Sequence, residues 1–300
     1  MVGSIAVIGA PSAIGISPYD GGEVRRLDLA PGSLREREIV ERLAASDLGD
    51  VVPPQRYSDL VRPSGGVRNQ DDVAGYARQL ADRVASATRD GRFVLLLGGD
   101  CSILLGALLG LRHGGRSRVG LVYYDAHSDF ATLEESRSGS ASSMNLSLAI
   151  GRVDTPHARL DGARPLVRAE DVIHIGSRDE GEPYGNAELR PAGIIDVSQR
   201  VIDAKGVDEV VIETLAHLSR TNEGFWVHFD VDVLDPEVMP AVDSPISGGL
   251  GLEAATELLS PVVRHPAALG LQITIYDPTI DPDGTGASRL VELLERSLVA

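Results

Sequence analysis

The chain has 300 residues, 43% of them hydrophobic, enough to bury a large core, and it contains a single cysteine. No apolar run approaches the ~20 residues that cross a bilayer, and one cysteine excludes an internal disulfide. A formal charge of -16, from 44 Asp and Glu against 28 Lys and Arg, repels nucleic acid and anionic membranes while drawing small cations.

The first apolar segment, Ile5 to Ala10, is too short for a secretory signal and has no basic residues before it. It is read as part of strand one, Ser4 to Gly9, of a cytoplasmic protein. Ile16 to Arg35, rich in Gly and Pro, follows as a long loop. Asn69 opens a helix over Asp71 to Ala87, and Phe93 to Gly98 is a buried strand. Asp100 stands ready to cap the next helix, Ser102 to Leu111. The strand Val119 to Asp125 runs into a second long loop, Phe130 to Ser142, rich in Ser, Thr and Glu. Then come strand Val172 to Ile175, helix Asp208 to Leu218, strand Phe225 to Asp230 and a Pro/Gly-rich stretch, Asp235 to Gly251. The chain finishes with helix Leu252 to Leu259, strand Leu269 to Ile275 and a helix started by Gly286 over Ala287 to Leu298. Strands alternating with helices predict a parallel sheet covered on both faces, in one domain spanning residues 1–300. Long loops in such domains often cover active sites.

Potential metal ligands collect where three strands end. Cys101 follows one, Asp125, His127 and Asp129 follow another at alternate positions, and Asp230 and Asp232 end a third. Alternate residues of an extended chain share a side, and ligands in α/β proteins gather at the C-terminal ends of strands. Several like charges packed together are costly without cations. Carboxylate and imidazole donors suit hard or borderline divalent ions.

The segments Gly98-Gly99-Asp100-Cys101-Ser102, Asp125-Ala126-His127-Ser128-Asp129 and Phe229-Asp230-Val231-Asp232-Val233-Leu234-Asp235-Pro236 resemble the three metal motifs of the ureohydrolase family. Arginase, agmatinase and formimidoylglutamase belong to that family. Ser247-Gly248-Gly249-Leu250 extends the agreement. The resemblance implies a three-layer α/β/α fold with a mostly parallel sheet and a centre of two Mn2+ ions. One ion would be held by Cys101, Asp125, Asp129 and Asp230, the other by His127, Asp125, Asp230 and Asp232, with Asp125 and Asp230 bridging. It also implies a metal-activated water that attacks a guanidine or amidine carbon, with Asp129 orienting it and passing its proton to the leaving nitrogen. The partner is a small guanidine-type molecule, and homo-oligomers are known among relatives.

Departures from the family pattern bear on substrate. Cys101 replaces a histidine; it is either a thiolate ligand, which favours softer ions such as zinc or iron, or a core cysteine. With four aspartates it would set five negative charges against the four positive charges of two divalent ions. Ser142 stands for a proton-shuttling histidine, Ala131 for a carboxylate-gripping asparagine, Gly181 for an aspartate and Ile275 for a guanidinium-clamping glutamate. Ser138 is the retained member of the substrate-binding set, and Ser142, Ser244 and Glu180, which flanks Gly181, are read with it as candidate substrate-binding residues. These losses disfavour arginine. A cysteine in the first motif with no shuttle histidine resembles the Nω-hydroxy-L-arginine hydrolase of D-cycloserine biosynthesis, whose N-hydroxyguanidine substrate is less basic and can be attacked in neutral form. A catalytically silent metal-binding homologue and an amidine or formimino hydrolase are the alternatives.

Three further assignments follow. His228, two before Asp230, faces the same side of its strand and either orients a ligand or is a core histidine satisfied by its neighbours. Asp243, beside Ser244 in the Pro/Gly-rich stretch, is a candidate replacement for the missing carboxylate clamp or simply a turn residue. His113, His157, His174, His217 and His265 lack ligand spacing and are read as surface or packing residues. The glycines at 9 and 15 do not match a dinucleotide fingerprint.

Overall fold

Strands and helices alternate through residues 3–19, 21–54, 61–155, 159–180, 185–219 and 223–299, which are the residues the computed structural model describes. The strands are β1 (Ile5–Ala10), β2 (Ser46–Asp50), β3 (Phe93–Gly98), β4 (Gly120–Tyr124), β5 (Val172–Ile175), β6 (Ile195–Val197), β7 (Phe225–Asp230) and β8 (Ala268–Thr274). They form an eight-stranded sheet in the order β2-β1-β3-β8-β7-β4-β5-β6. Every pairing is parallel. The helices are α1 (Ala30–Glu36), α2 (Ile39–Arg42), α3 (Gln70–Arg89), α4 (Ile103–His113), α5 (Asn145–Ala149), α6 (Gln199–Lys205), α7 (Val207–Leu218), α8 (Leu252–Val263) and α9 (Thr285–Leu298).

A parallel strand covered on both faces is apolar at successive positions, with the side-chain period of two dividing it between two cores. In β3, Leu95 and Leu97 enter one core, with Leu34 of α1, Leu258 of α8 and Leu290 of α9. Val94 and Leu96 enter the other, with Leu80 and Val84 of α3 and Leu104 and Leu108 of α4. The result is the expected three-layer α/β/α arrangement, all-parallel where a mostly parallel sheet was anticipated.

The topology places the site. β3 and β4 follow one another in sequence but are separated in the sheet by β8 and β7, so the loops leaving their C-terminal ends open a crevice. All three metal motifs leave strands in that central group.

Two strands escaped the sequence reading, and both lie at sheet edges. β2, Ser-Asp-Leu-Gly-Asp, has no buried residue, and β6 has three residues; backbone pairing holds such strands and leaves little hydrophobic pattern. The Ile16 to Arg35 segment is not loop throughout, because α1 starts at Ala30 with Pro31 in its first turn, a position that tolerates proline. Asn69 does precede α3, but with a left-handed backbone, and its side-chain amide donates to Ile14 O at 2.8 Å. α9 starts at Thr285, one residue before Gly286.

Gly270 of β8 stands opposite Trp226 of β7, and a Cβ there would come 2.3 Å from the indole and 2.5 Å from Val94 O. Gly270→Ala is expected to cost about 1–3 kcal/mol, seen as a lower urea midpoint at unchanged m. Gly75→Ala in α3, where a Cβ meets nothing within 4 Å, is expected to gain up to about 1 kcal/mol. Equal midpoints for the two variants would contradict this packing.

Candidate metal centre

Each motif is fixed by backbone before it presents a side chain. After β3, the buried Asp100 accepts from Ser12 Oγ (2.7 Å), Gly15 N (3.1 Å), Ser102 N (2.9 Å) and Ser142 Oγ (3.2 Å). It does not cap the following helix, whose N-cap is Ser102; it holds the N–H of Ser102 in a turn before that helix and ties three loops around Cys101. After β4, Asp125 N still donates to Ile175 O at 3.1 Å as a strand residue would, and His127 N turns back to Asp125 Oδ1 at 2.7 Å. After β7, Asp232 N donates to Asp230 Oδ1 at 3.0 Å. Arg178 donates to the carbonyls of Asp232 (2.8 Å), Val233 (2.9 Å) and Ile246 (3.0 Å), bracing that loop from behind.

Two groups of donor atoms result. Cys101, Asp125, Asp230 and His228 place donor atoms within 4.8 Å of one another, and so do Asp125, His127 and Asp232. Asp125 is common to both. Within them Cys101 Sγ lies 2.9 Å from Asp230 Oδ2, and His127 Nδ1 lies 2.8 Å from Asp232 Oδ2.

Burial, reinforced by neighbouring carboxylates, pushes the titration of this cluster upward. Burial followed by the charges of Asp232 and Asp125 raises Asp230 well above the carboxylate range, and burial followed by Asp125 raises Asp129 and Asp232. Burial followed by Asp230 raises the Cys101 thiol. His127 is raised although burial opposes it, because Asp232 and Asp125 hold its charged form. Asp125 alone among these carboxylates stays low; burial opposes this, but the imidazoles of His127 and His228 prevail. Such a set must take up either protons or cations. The buried Asp125 Oδ2 also has no hydrogen-bond partner, as fits an oxygen meant for an ion. Thiolate, carboxylate and imidazole donors in two adjoining groups fit a pair of divalent ions.

The expected ligands Cys101, Asp125, His127, Asp129, Asp230 and Asp232 all line one cavity of about 360 Å³. One stands apart from the rest. Asp129 belongs to neither close group; its Oδ2 accepts from Tyr123 OH (3.0 Å) and Asn145 Nδ2 (2.7 Å). Asp230 joins the first group, and Asp125 is the residue common to both.

Ser138, Ser142, Asp243 and Ser244 line the same cavity, as do Ala131 and Ile275. Asp243 is not a free clamp, because Arg25 Nε lies 3.0 Å from its Oδ2 with both side chains nearly buried. Glu180 is not among the lining residues; it pairs with Arg200 at 3.0 Å. His228 is fully buried beneath the ligands and does not line the cavity either. His174 packs under the metal loop with Nε2 2.8 Å from His127 O, and His113 pairs with Asp161 at 3.2 Å. Gly181 and His157 lie outside the described residues.

Sequence reasoning missed Arg25, Tyr123, Asn145 and Asp179. Tyr123 shares the parity of Asp125 on its strand, and Asp179 lies in the loop that leaves the C-terminal end of β5, so both carried a signal. Asp179 accepts from Ser128 N (2.8 Å) and Asn186 N (3.1 Å). Asn145 carried none, since only the fold brings it to Asp129.

The sequence profile of the arginase family matches residues 4–299. The chain belongs to the arginase family. Arginase of Bacillus caldovelox is 32% identical over 294 residues, covering 94% of this chain and 96% of that protein. The crystal structure of arginase from Bacillus cereus is similar with a TM-score of 0.86 at 31% identity, covering 99% of each chain. A formimidoylglutamase from Bacillus subtilis, 20% identical with a TM-score of 0.75 over 99% of this chain and 87% of its own, shares the fold.

A carboxylate raised in the folded state contributes stability below its ordinary pKa and loses it as pH rises through the raised value. Asp230, Asp232 and Asp129 are raised, so this arginase-family centre weakens the metal-free fold progressively above the ordinary carboxylate range. Cations relieve that penalty. The gain in Tm on adding Mn2+ is therefore expected to grow between about pH 5.5 and about pH 7.5. Asp230→Asn is expected to raise metal-free stability at the upper pH and remove most of the Mn2+ shift. A shift that stays constant or shrinks with rising pH would contradict the electrostatics described.

Proposed function

We propose that this chain is a cytoplasmic, single-domain hydrolase that cleaves a C–N bond of a small guanidine-type substrate at a dinuclear manganese centre. An N-hydroxyguanidine such as Nω-hydroxyarginine is preferred to arginine. The observation that carries this preference is Ile275. Its apolar side chain lines the cavity that holds the ligand set, on a backbone with φ 68° whose N–H donates to Gly99 O at 2.9 Å. A β-branched residue in the left-handed region is a strained choice, worth about 1–3 kcal/mol. Ile275 therefore offers no carboxylate to pair with a guanidinium, and a buried guanidinium without a partner is costly. An N-hydroxyguanidine is less basic and can enter uncharged.

Cys101, Asp125 and Asp230 would hold one ion, and Asp125, His127 and Asp232 the other, with Asp129 beside them. When bound, the metal pair supplies Lewis acidity and a water acidified enough to act as nucleophile near neutral pH; the thiolate makes zinc or iron acceptable substitutes. The chain's own residues supply orientation. Tyr123 and Asn145 commit Oδ2 of Asp129, which leaves Oδ1 to accept and return a proton at the substrate. Ser142, at the place of a proton-shuttling histidine, has its hydroxyl engaged with Asp100, so no imidazole stands there to protonate a leaving amine. The cavity-lining serines 138 and 244 are hydrogen-bonding groups for the substrate's far end.

Arg25 is the one Arg or Lys among the described residues lining the cavity. Its guanidinium lies over the Tyr19 ring at 4.4 Å and pairs with Asp243. Arg25 sets a cation at the cavity wall for a substrate carboxylate, which favours an amino-acid guanidine over a decarboxylated one.

Purified enzyme with Mn2+ is expected to turn over Nω-hydroxyarginine with a kcat/KM at least about 10-fold above arginine, a difference of roughly 1.4 kcal/mol, and agmatine more slowly still. Arg25→Gln is expected to raise KM for the hydroxylated substrate, and Ile275→Glu to narrow its lead over arginine. Faster hydrolysis of arginine than of Nω-hydroxyarginine would refute the substrate assignment.

A further inference from the structure

Two buried polar atoms of the centre have no hydrogen-bond partner, Asp125 Oδ2 and His228 Nε2, and they stand 3.8 Å apart. By proximity alone His228 qualifies as a fourth member of the group formed by Cys101, Asp125 and Asp230. It would then be an imidazole ligand on β7 in compensation for the cysteine at 101.

The groups behind the ring decide otherwise. Tyr123 of β4, His228 of β7 and Gln272 of β8 stand in register across the sheet. The Tyr123 and His228 rings stack at 4.1 Å. Trp226, on the same face of β7, donates its indole N–H to Gln272 Oε1 at 2.9 Å. An indole nitrogen can only donate, so the oxygen end of the amide must face it. The other end is then the NH2 group, 2.8 Å from His228 Nδ1, and an amide NH2 also only donates. Nδ1 must therefore accept, which excludes both the Nδ1–H tautomer and the doubly protonated ring. A neutral imidazole with a bare Nδ1 carries its hydrogen on Nε2. Protonated there, Nε2 has no lone pair for a metal.

We propose that His228 is a positioning residue, held as the Nε2–H tautomer by Trp226 and Gln272, that presents this N–H to Asp125 Oδ2 and stays outside the coordination of either ion. At 3.8 Å the contact is an oriented dipole facing a carboxylate rather than a formed hydrogen bond. It favours the charged form of the carboxylate shared by both metal groups and limits its rotation. Gly270 belongs to the same device, because only a residue without a side chain leaves room for the indole that fixes the amide. The inference rests on the metal-centre reading, but the tautomer is measurable with no metal present.

In 15N-labelled, metal-free protein, long-range 1H–15N spectra are expected to show His228 with a protonated Nε2 and a bare Nδ1, unchanged on adding Zn2+. Trp226→Phe releases the amide and is expected to mix the tautomers. Calorimetric Mn2+ titration of His228→Leu is expected to show two ions bound about 10–100-fold more weakly, and His228→Gln, which keeps an N–H on that side chain, to recover most of the loss. A protonated Nδ1 in the metal-free protein, or loss of the Nε2 hydrogen on adding Zn2+, would overturn the proposal. So would complete loss of one ion in His228→Leu without rescue. If wild-type protein bound no Mn2+ while showing the expected tautomer, the metal-centre reading would fail, and the positioning role with it.

Discussion

The shared carboxylate of Asp125 is the constraint on which the rest of the centre depends. It belongs to both donor groups, it is fully buried, and one of its oxygens is left without a protein partner. Around it stand further carboxylates and a thiol that burial and mutual repulsion push toward their protonated forms. Hydrophobic packing cannot compensate for that concentration of charge. A pair of divalent cations can, and the same cations would give the pocket its chemistry.

The fold makes the convergence possible. Because β8 and β7 are inserted between β3 and β4, the ends of four adjacent strands face one crevice, and each contributes a short loop fixed by backbone hydrogen bonds. Beneath the ligands the sheet carries a buried polar row, Tyr123, His228 and Gln272, where most positions are apolar. Tyr123 reaches Asp129 and stacks on His228, so the support of two different ligands passes through neighbouring strands. Above the ligands the cavity wall is formed by Ile275 and by the Arg25–Asp243 pair.

Much of this was legible in the sequence, for physical reasons. Buried parallel strands and long amphipathic helices have strong periodicity, so β3 and β7 were anticipated with their observed bounds, α3 with ends short by one or two residues, and α8 with its start but not its last turn. The ligands were visible because chemistry requires particular residue types at strand termini. The edge strand β2 was invisible because it carries no buried apolar residue; backbone pairing and the ion pairs of Arg35 with Asp47 and Asp50 hold that strand. Asn145 and Arg25 were missed because no local pattern ties them to Asp129 or Asp243; only tertiary structure does. Glu180 was assigned to the substrate from its neighbour in sequence, whereas its carboxylate is taken by Arg200. Asp243, a candidate clamp by its place in the sequence, lines the cavity with its charge already paired to Arg25.

The most direct test of the central electrostatic claim is metal content. Protein loaded with Mn2+, dialysed and analysed by plasma mass spectrometry is expected to retain two ions per chain, and Asp125→Asn, which alters the carboxylate common to both groups, is expected to lose both. Wild-type protein that retains none, or an Asp125→Asn variant that retains the full complement, would contradict the account.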